Sequence, residues 1–131
     1  MTRIAPVALV VDDYDEATRF CTEALGLRLA EDAPRPDGPR WVVVEPGPGA
    51  GGTGLLPARA RGEAQRSRIG DQTDGCVGFF LYTDDFARGH ARMTAAGVTF
   101  PEEPRCEPYG SVAVFRDLYG NRWDPLQPAA P

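Results

Sequence analysis

The sequence predicts an α+β chain built from two tandem βαβββ modules, and two observations support that fold class. A strand pattern that ends at Asp12-Asp13 recurs as one that ends at Asp84-Asp85, 72 residues later. Each aspartate pair leads into a helical pattern that stops at a glycine, Gly26 or Gly97. Self-similarity at a fixed period indicates a duplicated supersecondary unit. In a chain of 131 residues, two half-size modules are expected to share one core and form a single domain.

The first module covers about residues 3–58. The β-branched run Ile4–Val11 predicts a strand, and Asp13 is placed to cap a helix whose apolar residues recur at helical spacing up to Leu25. Further strands are predicted over residues 27–31, 40–45 and 53–57. A loop rich in proline and glycine separates the first two of these strands, and a glycine-rich turn separates the last two.

A polar connector over residues 59–75, with a short helix at 63–69, leads to the second module over about residues 76–128. That module repeats the order: a strand over 77–83, a helix over 85–96, and strands over 98–102, 111–116 and 122–126. Asp117–Asn121 is predicted to be a hairpin turn, with Gly120 free to adopt a positive φ. Residues 128–131 are expected to form a frayed tail.

Composition excludes several classes of function. The formal charge of −5 argues against a nucleic-acid or anionic-membrane partner and favours neutral or cationic ligands. No run approaches the ~18 apolar residues of a membrane span, and the N-terminus leads directly into a strand pattern, so we expect a cytoplasmic protein. Cys21, Cys76 and Cys106 are widely spaced, which predicts free thiols rather than disulfides or a zinc site.

Four segments make the chain resemble the vicinal oxygen chelate superfamily, which includes glyoxalase I, extradiol dioxygenases, fosfomycin-resistance enzymes and bleomycin-binding proteins. They are Val10–Ala17, Leu25-Gly26-Leu27, Ala95–Val98 and Phe115–Asn121. The resemblance implies that the strands of each module curl, so that the two modules form a cup of mixed β-sheet. It also implies a homodimer. Metal-binding members usually place a His or Glu on the first and last strand of each module.

In this chain, the resemblance and the repeat assign those four positions to Pro6, Gly54, Gly78 and Asp124. One carboxylate cannot hold a divalent metal ion, which needs three or four donors. We therefore expect no metal cofactor. The other candidate donors are weak: His90 falls in the middle of a helix, Cys76 has no partner thiol, and Glu45 matches Phe115 in the repeat.

Strand alternation then predicts the lining of the cup. Phe80 and Tyr82 are expected to face it from the same strand as Gly78, and the two glycines are expected to leave space there. The other predicted lining and rim residues are Val10, Leu56, Leu126, Trp41, Tyr109 and Trp123. Such an apolar cavity with few polar groups is typical of a small-molecule site.

Asp124 is the leading candidate residue, and two interpretations of it stay open. It either anchors a cationic or hydrogen-bonding ligand, with a general-base role if the protein is an enzyme, or it is a relic metal ligand paired with Arg40, Arg122 or a backbone donor. Two functions follow. The first is a metal-free protein that binds an aromatic or amphiphilic small molecule. The alternative is a lyase, isomerase or dioxygenase of glyoxalase type that uses a divalent metal such as Zn, Ni or Mn.

Overall fold

The computed structural model describes residues 1–129, which fall into two compact units, Met1–Ile69 and a second unit that begins at Gly70. Each unit contains one mixed β-sheet and one ten-residue helix, in the same order along the chain. The predicted α+β fold with a duplicated βαβββ unit is therefore confirmed. Within residues 1–129, no helix is long and apolar enough to cross a membrane.

The first unit is a four-stranded sheet with the strand order β1-β4-β3-β2. Its central pair, β3 and β4, is antiparallel, whereas β1 runs parallel to β4. Helix α1 packs against β2, β3 and β4, and the short helix α2 follows β4. The elements are β1 (Val7–Val11), α1 (Tyr14–Glu23), β2 (Arg28–Ala33), β3 (Trp41–Glu45), β4 (Leu55–Arg59) and α2 (Gly62–Arg66).

The second unit has the sheet order β5-β9-β7-β6, and β8 also pairs with β9. Here β5 runs parallel to β9, as β1 does to β4, and the other pairs are antiparallel. The elements are β5 (Val77–Tyr82), α3 (Phe86–Ala95), β6 (Arg105–Glu107), β7 (Gly110–Val112), β8 (Phe115–Arg116) and β9 (Arg122–Pro128).

The two long helices begin as the aspartate pairs predicted. Asp13 Oδ2 accepts a hydrogen bond from the backbone N–H of Glu16 at 3.0 Å, and Asp85 Oδ1 accepts one from that of Arg88 at 3.1 Å. These side-chain caps satisfy N–H groups that have no partner within the helix. The repeated aspartates are thus explained by helix capping.

The cores of the two units differ in character. In the first, α1 contributes Ala17 and Cys21 to a core of aliphatic strand residues such as Val11, Val42 and Val44. In the second, aromatic rings form a continuous series. Trp123 stacks on Phe79 and Phe115 at centroid distances of 4.6 and 5.8 Å, and the series continues from Phe115 through Phe100 to His90.

The structure corrects three element predictions. The strand predicted over 98–102 is absent, because Pro101 and Pro104 lack the N–H that a ladder needs, and β6 begins only after Pro104. The strand predicted over 111–116 is split into β7 and β8 where Pro125 interrupts the N–H groups of β9. Pro128, predicted to be frayed, belongs to β9, and the Ala129 N–H donates to the carbonyl oxygen of Tyr109 at 2.9 Å. The remaining two residues of that predicted tail, 130 and 131, lie outside the described residues.

Candidate functional site

One face of the second sheet carries Phe80, Tyr82 and Asp124, whereas Trp123, which was predicted to lie at the rim, is buried on the other face. In the parallel pairing of β5 with β9, Phe80 lies opposite Asp124 and Tyr82 lies opposite Leu126. The neighbours Phe79 and Trp123 point to the other face, where they stack in the core. Phe80 and Tyr82 are 64% and 70% exposed. The predicted alternation along β5 is therefore confirmed for these residues, and it leaves two aromatic side chains open beside one carboxylate.

Asp124 is the polar centre of this face. Its Oδ1 is buried and has no hydrogen-bond partner within residues 1–129. Burial raises the pKa of the Asp124 carboxyl, and the positive charge of Arg105 partly opposes that rise. A buried acceptor without a donor costs free energy unless a ligand or water supplies the missing hydrogen bond. Asp124 is therefore suited to accept a donor from a bound molecule.

Arg105 was not predicted as a site residue. It lies on β6 opposite Val112, which in turn lies opposite Leu126, so the register puts Arg105 on the Asp124 face. Its guanidinium donates to Glu102 at 2.9 Å and to Glu107 at 3.0 Å, and a hydrogen bond with Tyr109 is among the contacts that raise its pKa. Tyr109 is thus joined to the site through Arg105. One sequence signal could have identified Arg105: Glu102 lies three residues before it and Glu107 two residues after it, which is close enough for ion pairs.

Arg40, which was expected to be a possible partner of Asp124, makes contacts within the first unit. Arg40 donates to Asp32 and Asp15 within the first unit, which ties β2 and the start of α1 together. No hydrogen bond or ion pair within residues 1–129 joins Asp124 to Arg122. No donor within residues 1–129 reaches Asp124 Oδ1, so the pairing expected of a relic carboxylate is not seen at that atom.

In the first unit, Val10, Leu56 and Trp41 share one face of the sheet. Ala8 lies opposite Leu56, so these two side chains share a face. Val10 follows Ala8 by two residues on β1 and therefore lies on the same face. On β3, Trp41 alternates with Val42, which faces the core. The Trp41 indole N–H donates to Glu31 at 2.6 Å, and the Arg35 guanidinium stacks 4.7 Å from the ring centroid. Trp41 therefore already has polar partners within its own unit.

The two glycines in the predicted metal positions do not open space, contrary to the expectation from sequence. A Cβ on Gly54 would lie 2.6 Å from the carbonyl oxygen of Val44, so glycine is needed for close packing there. A Cβ on Gly78 would lie 2.6 Å from the Thr73 methyl. Gly78 is also the extra residue of a β-bulge, because Val77 pairs with Arg122 and Phe79 pairs with Trp123.

Strand pairing also revises the correspondence between the two copies. Leu9 lies opposite the buried Pro57, as Leu81 lies opposite the buried Pro125. Residue 56, rather than Gly54, therefore corresponds to Asp124. The same pairing equates Glu45 with Arg116, rather than with Phe115, and Gly54 with Arg122.

The corrected metal positions are Pro6, Leu56, Gly78 and Asp124, which still contain a single donor. Within residues 1–129, no three His, Cys, Asp or Glu side chains lie close enough together to hold a metal ion. His90 lies between the rings of Phe86 and Phe100, Cys21 is buried, and Cys76 and Cys106 are exposed. The donor set does not fit the metal centre that the resemblance implied.

Comparison with known proteins agrees with the fold. A family model described as Glyoxalase/Bleomycin resistance protein/Dioxygenase superfamily matches residues 3–124. An uncharacterized protein of Shewanella frigidimarina (strain NCIMB 400) is 50% identical over 125 residues, covering 95% of this chain and 92% of that protein.

Two solved structures are similar over nearly their whole length. The crystal structure of UcmS2 has a TM-score of 0.80 and 29% identity, covering 96% of this chain and 98% of that one. TnmS3, an antibiotic binding protein from Streptomyces sp. CB03234, has a TM-score of 0.68 and 27% identity, covering 98% and 99%. The shared architecture is therefore one that holds an antibiotic in at least one other protein.

Proposed function

Because this chain belongs to the Glyoxalase/Bleomycin resistance protein/Dioxygenase superfamily, we propose that it binds an aromatic or amphiphilic small molecule without the help of a metal ion. The observation that carries the proposal is the buried Oδ1 of Asp124, which has no hydrogen-bond partner within residues 1–129, beside the exposed rings of Phe80 and Tyr82. Aromatic side chains around a single orienting polar group are typical of small-molecule sites. The antibiotic-binding role of TnmS3 supports the same conclusion.

The chemistry of the site indicates how such a ligand would be held. A ligand N–H or O–H donates to Asp124 and satisfies its buried acceptor, and a ring of the ligand stacks on Phe80 or Tyr82. A cationic donor gains additional attraction while Asp124 is ionised. Within residues 1–129, this face has no nucleophile paired with a base, and its metal positions hold only one donor, Asp124, so binding accounts for the site better than turnover does.

The test is a thermal-shift screen with aromatic amines and aromatic alcohols, followed by calorimetric titration of each compound that raises Tm. Asp124→Ala and Phe80→Ala are each expected to weaken binding about tenfold or more, the effect of losing one charge-assisted hydrogen bond or one ring contact. The matched controls are Asp84→Asn and Leu118→Ala, which change an exposed carboxylate and an exposed apolar side chain elsewhere in the second unit. Equal affinity in all four variants would place the site elsewhere.

Metal analysis of the purified protein separates this proposal from the metal-dependent lyase, isomerase or dioxygenase. Titration with nickel, zinc and manganese is expected to leave Tm and ligand affinity unchanged. One tightly bound metal ion per chain would contradict the proposal, because the known donors cannot account for it.

A further inference from the structure

Two arginines face each other on the β8–β9 hairpin. Arg116 lies directly opposite Arg122 in the antiparallel register, and both are exposed. Side chains directly opposite each other in an antiparallel pair have Cβ atoms about 4.5–5.5 Å apart. Alternation along β9 puts Arg122 on the same face as Asp124, two residues further along the strand. The hairpin therefore presents two neighbouring guanidinium groups on the open face of the second sheet.

Neither guanidinium is neutralised within residues 1–129. Every ion pair found there involves Arg19, Arg28, Arg40 or Arg105, and neither Arg116 nor Arg122 donates a side-chain hydrogen bond. Burial raises the pKa of Asp124, and the cation whose charge opposes this rise is Arg105 rather than Arg122. Arg122 has the apolar Val77 as its partner on β5.

At the corresponding position, the first unit has an ion pair instead of two like charges. There Glu45 occupies the position of Arg116 and forms an ion pair with Arg28, the residue opposite it on β2, while Gly54 occupies the position of Arg122. Like charges directly opposite each other destabilise a strand pair, whereas opposite charges stabilise it. The second unit keeps the unfavourable pair in a chain whose net charge is −5.

We propose that Arg116 and Arg122 together bind an oxyanion, a carboxylate or a phosphate. Two adjacent guanidinium groups offer planar sets of N–H donors that match such groups in a bidentate way. A bound oxyanion between them also removes their mutual repulsion. The site is separate from the Asp124 acceptor and does not depend on it.

The position of the pair also suggests the class of ligand, a step that rests on the proposed function. Phe80 lies opposite Asp124, and Arg122 precedes Asp124 by two residues on the same face. An aromatic molecule that carries an oxyanion and a hydrogen-bond donor can therefore contact the arginine pair, the exposed ring and the Asp124 acceptor on one sheet. Aromatic acids and phosphates with an amine or hydroxyl group have this chemistry.

Two probes test the site, inorganic phosphate and phenyl phosphate, each titrated while the arginine side-chain N–H resonances are followed by NMR. Phosphate is expected to move the resonances of Arg116 and Arg122 together, with one dissociation constant. Arg116→Gln and Arg122→Gln should each weaken binding about tenfold, since each removes a charged donor pair. Arg88→Gln on α3 is the matched control and should not change the affinity.

A further variant tests the proposal even if a glutamine variant fails to fold. Arg116→Glu replaces the repelling pair by an attracting one, so it should raise Tm and abolish phosphate binding. Phosphate binding that survives in Arg116→Glu, or that leaves Arg122 unmoved in the wild type, overturns the inference. Phenyl phosphate binding more tightly than phosphate, with the gain lost in Phe80→Ala, supports one shared ligand. If phosphate binds through the arginines and no aromatic compound binds, the oxyanion site stands and the proposed function fails.

Discussion

The two sheets use the same framework, but their open faces carry different chemistry. Where the first sheet has Ala8 opposite Leu56, the second has Phe80 opposite Asp124. At the next positions toward the hairpin turn, Glu45 and Gly54 in the first sheet correspond to Arg116 and Arg122 in the second. The first face is thus apolar with its charge paired, and the second carries an unpartnered acceptor and two unpaired cations within residues 1–129.

The difference indicates which copy carries the binding groups that we propose. A sheet is stabilised mainly by its core face, which both copies keep apolar, so the opposite face is free to change. A buried acceptor without a donor and two like charges opposite each other both lower stability, and within residues 1–129 only the second copy has them on this face. The functional residues should therefore be sought on the second sheet.

The core faces differ too, and this difference should give the largest effect on stability. Phe115 and Val44 occupy corresponding positions, and both are fully buried. Phe115→Ala removes a ring that contacts Trp123 and Phe100, and it is expected to lower the free energy of unfolding by about 3–5 kcal/mol. Val44→Ala should cost about 2 kcal/mol, because less apolar surface is lost.

Urea unfolding followed by tryptophan fluorescence measures both variants, since Trp41 lies in the first unit and Trp123 in the second. Equal losses would mean that the aromatic series contributes no more to stability than aliphatic packing does. A loss confined to one tryptophan signal would show that the two units unfold separately.

The two copies also show what the sequence could and could not predict. The aspartate caps and glycine stops are local signals, so the period of 72 residues located β1, α1, β5 and α3 correctly. The loop between β3 and β4 is longer than the turn between β8 and β9, so a constant offset matched Asp124 to Gly54 instead of Leu56. Only the pairing of Leu9 with Pro57 and of Leu81 with Pro125 corrects it.

The burial of each carboxylate and its hydrogen-bond partners could not be predicted from the sequence either. Asp117 and Asp124 are both aspartates near one hairpin, yet Asp117 accepts hydrogen bonds at 3.0 Å from three backbone N–H groups and from the side chains of Asn121 and Trp123. Asp124 has a buried oxygen with no such partner within residues 1–129. The opposition of Arg116 and Arg122 likewise depends on the hairpin register, which the sequence pattern left undetermined.

A second prediction contrasts the pH dependence of a carboxylate in each unit. Burial raises the pKa of Asp124, whereas the hydrogen bond from Arg40 lowers the pKa of Asp32. The contribution of Asp124 to stability is present below its unfolded pKa, about 3.9, and is lost as the pH rises through its folded pKa. The contribution of Asp32 is present above about pH 3.9 and is lost as the pH falls through its folded pKa.

The test is to measure the free energy of unfolding of Asp124→Asn, Asp32→Asn and the wild type across the acid pH range. The value for the wild type is subtracted from that of each variant. The Asp124→Asn difference should rise with pH and reach a gain of about 1 kcal/mol near neutrality, where the wild type holds a poorly solvated carboxylate. The Asp32→Asn difference should become more unfavourable over the same range. A flat Asp124→Asn profile would mean that Asp124 is as well solvated as it is in the unfolded chain, and a profile parallel to that of Asp32→Asn would mean that a donor lowers its pKa.

The smallest expected effect tests the charge difference itself. Arg116→Glu gives the second sheet a cross-strand ion pair like that of Arg28 with Glu45, and it should raise the free energy of unfolding by about 0.2–1 kcal/mol. Glu45→Arg makes the reverse change in the first sheet and should lower it by a similar amount. Both effects should shrink in about 1 M salt, where the Debye length falls to about 3 Å. If they persist there, side-chain packing rather than charge distinguishes the two faces. If Arg116→Glu is stabilising only at low salt, then the wild-type arginine pair lowers stability, as expected of side chains retained for a bound anion.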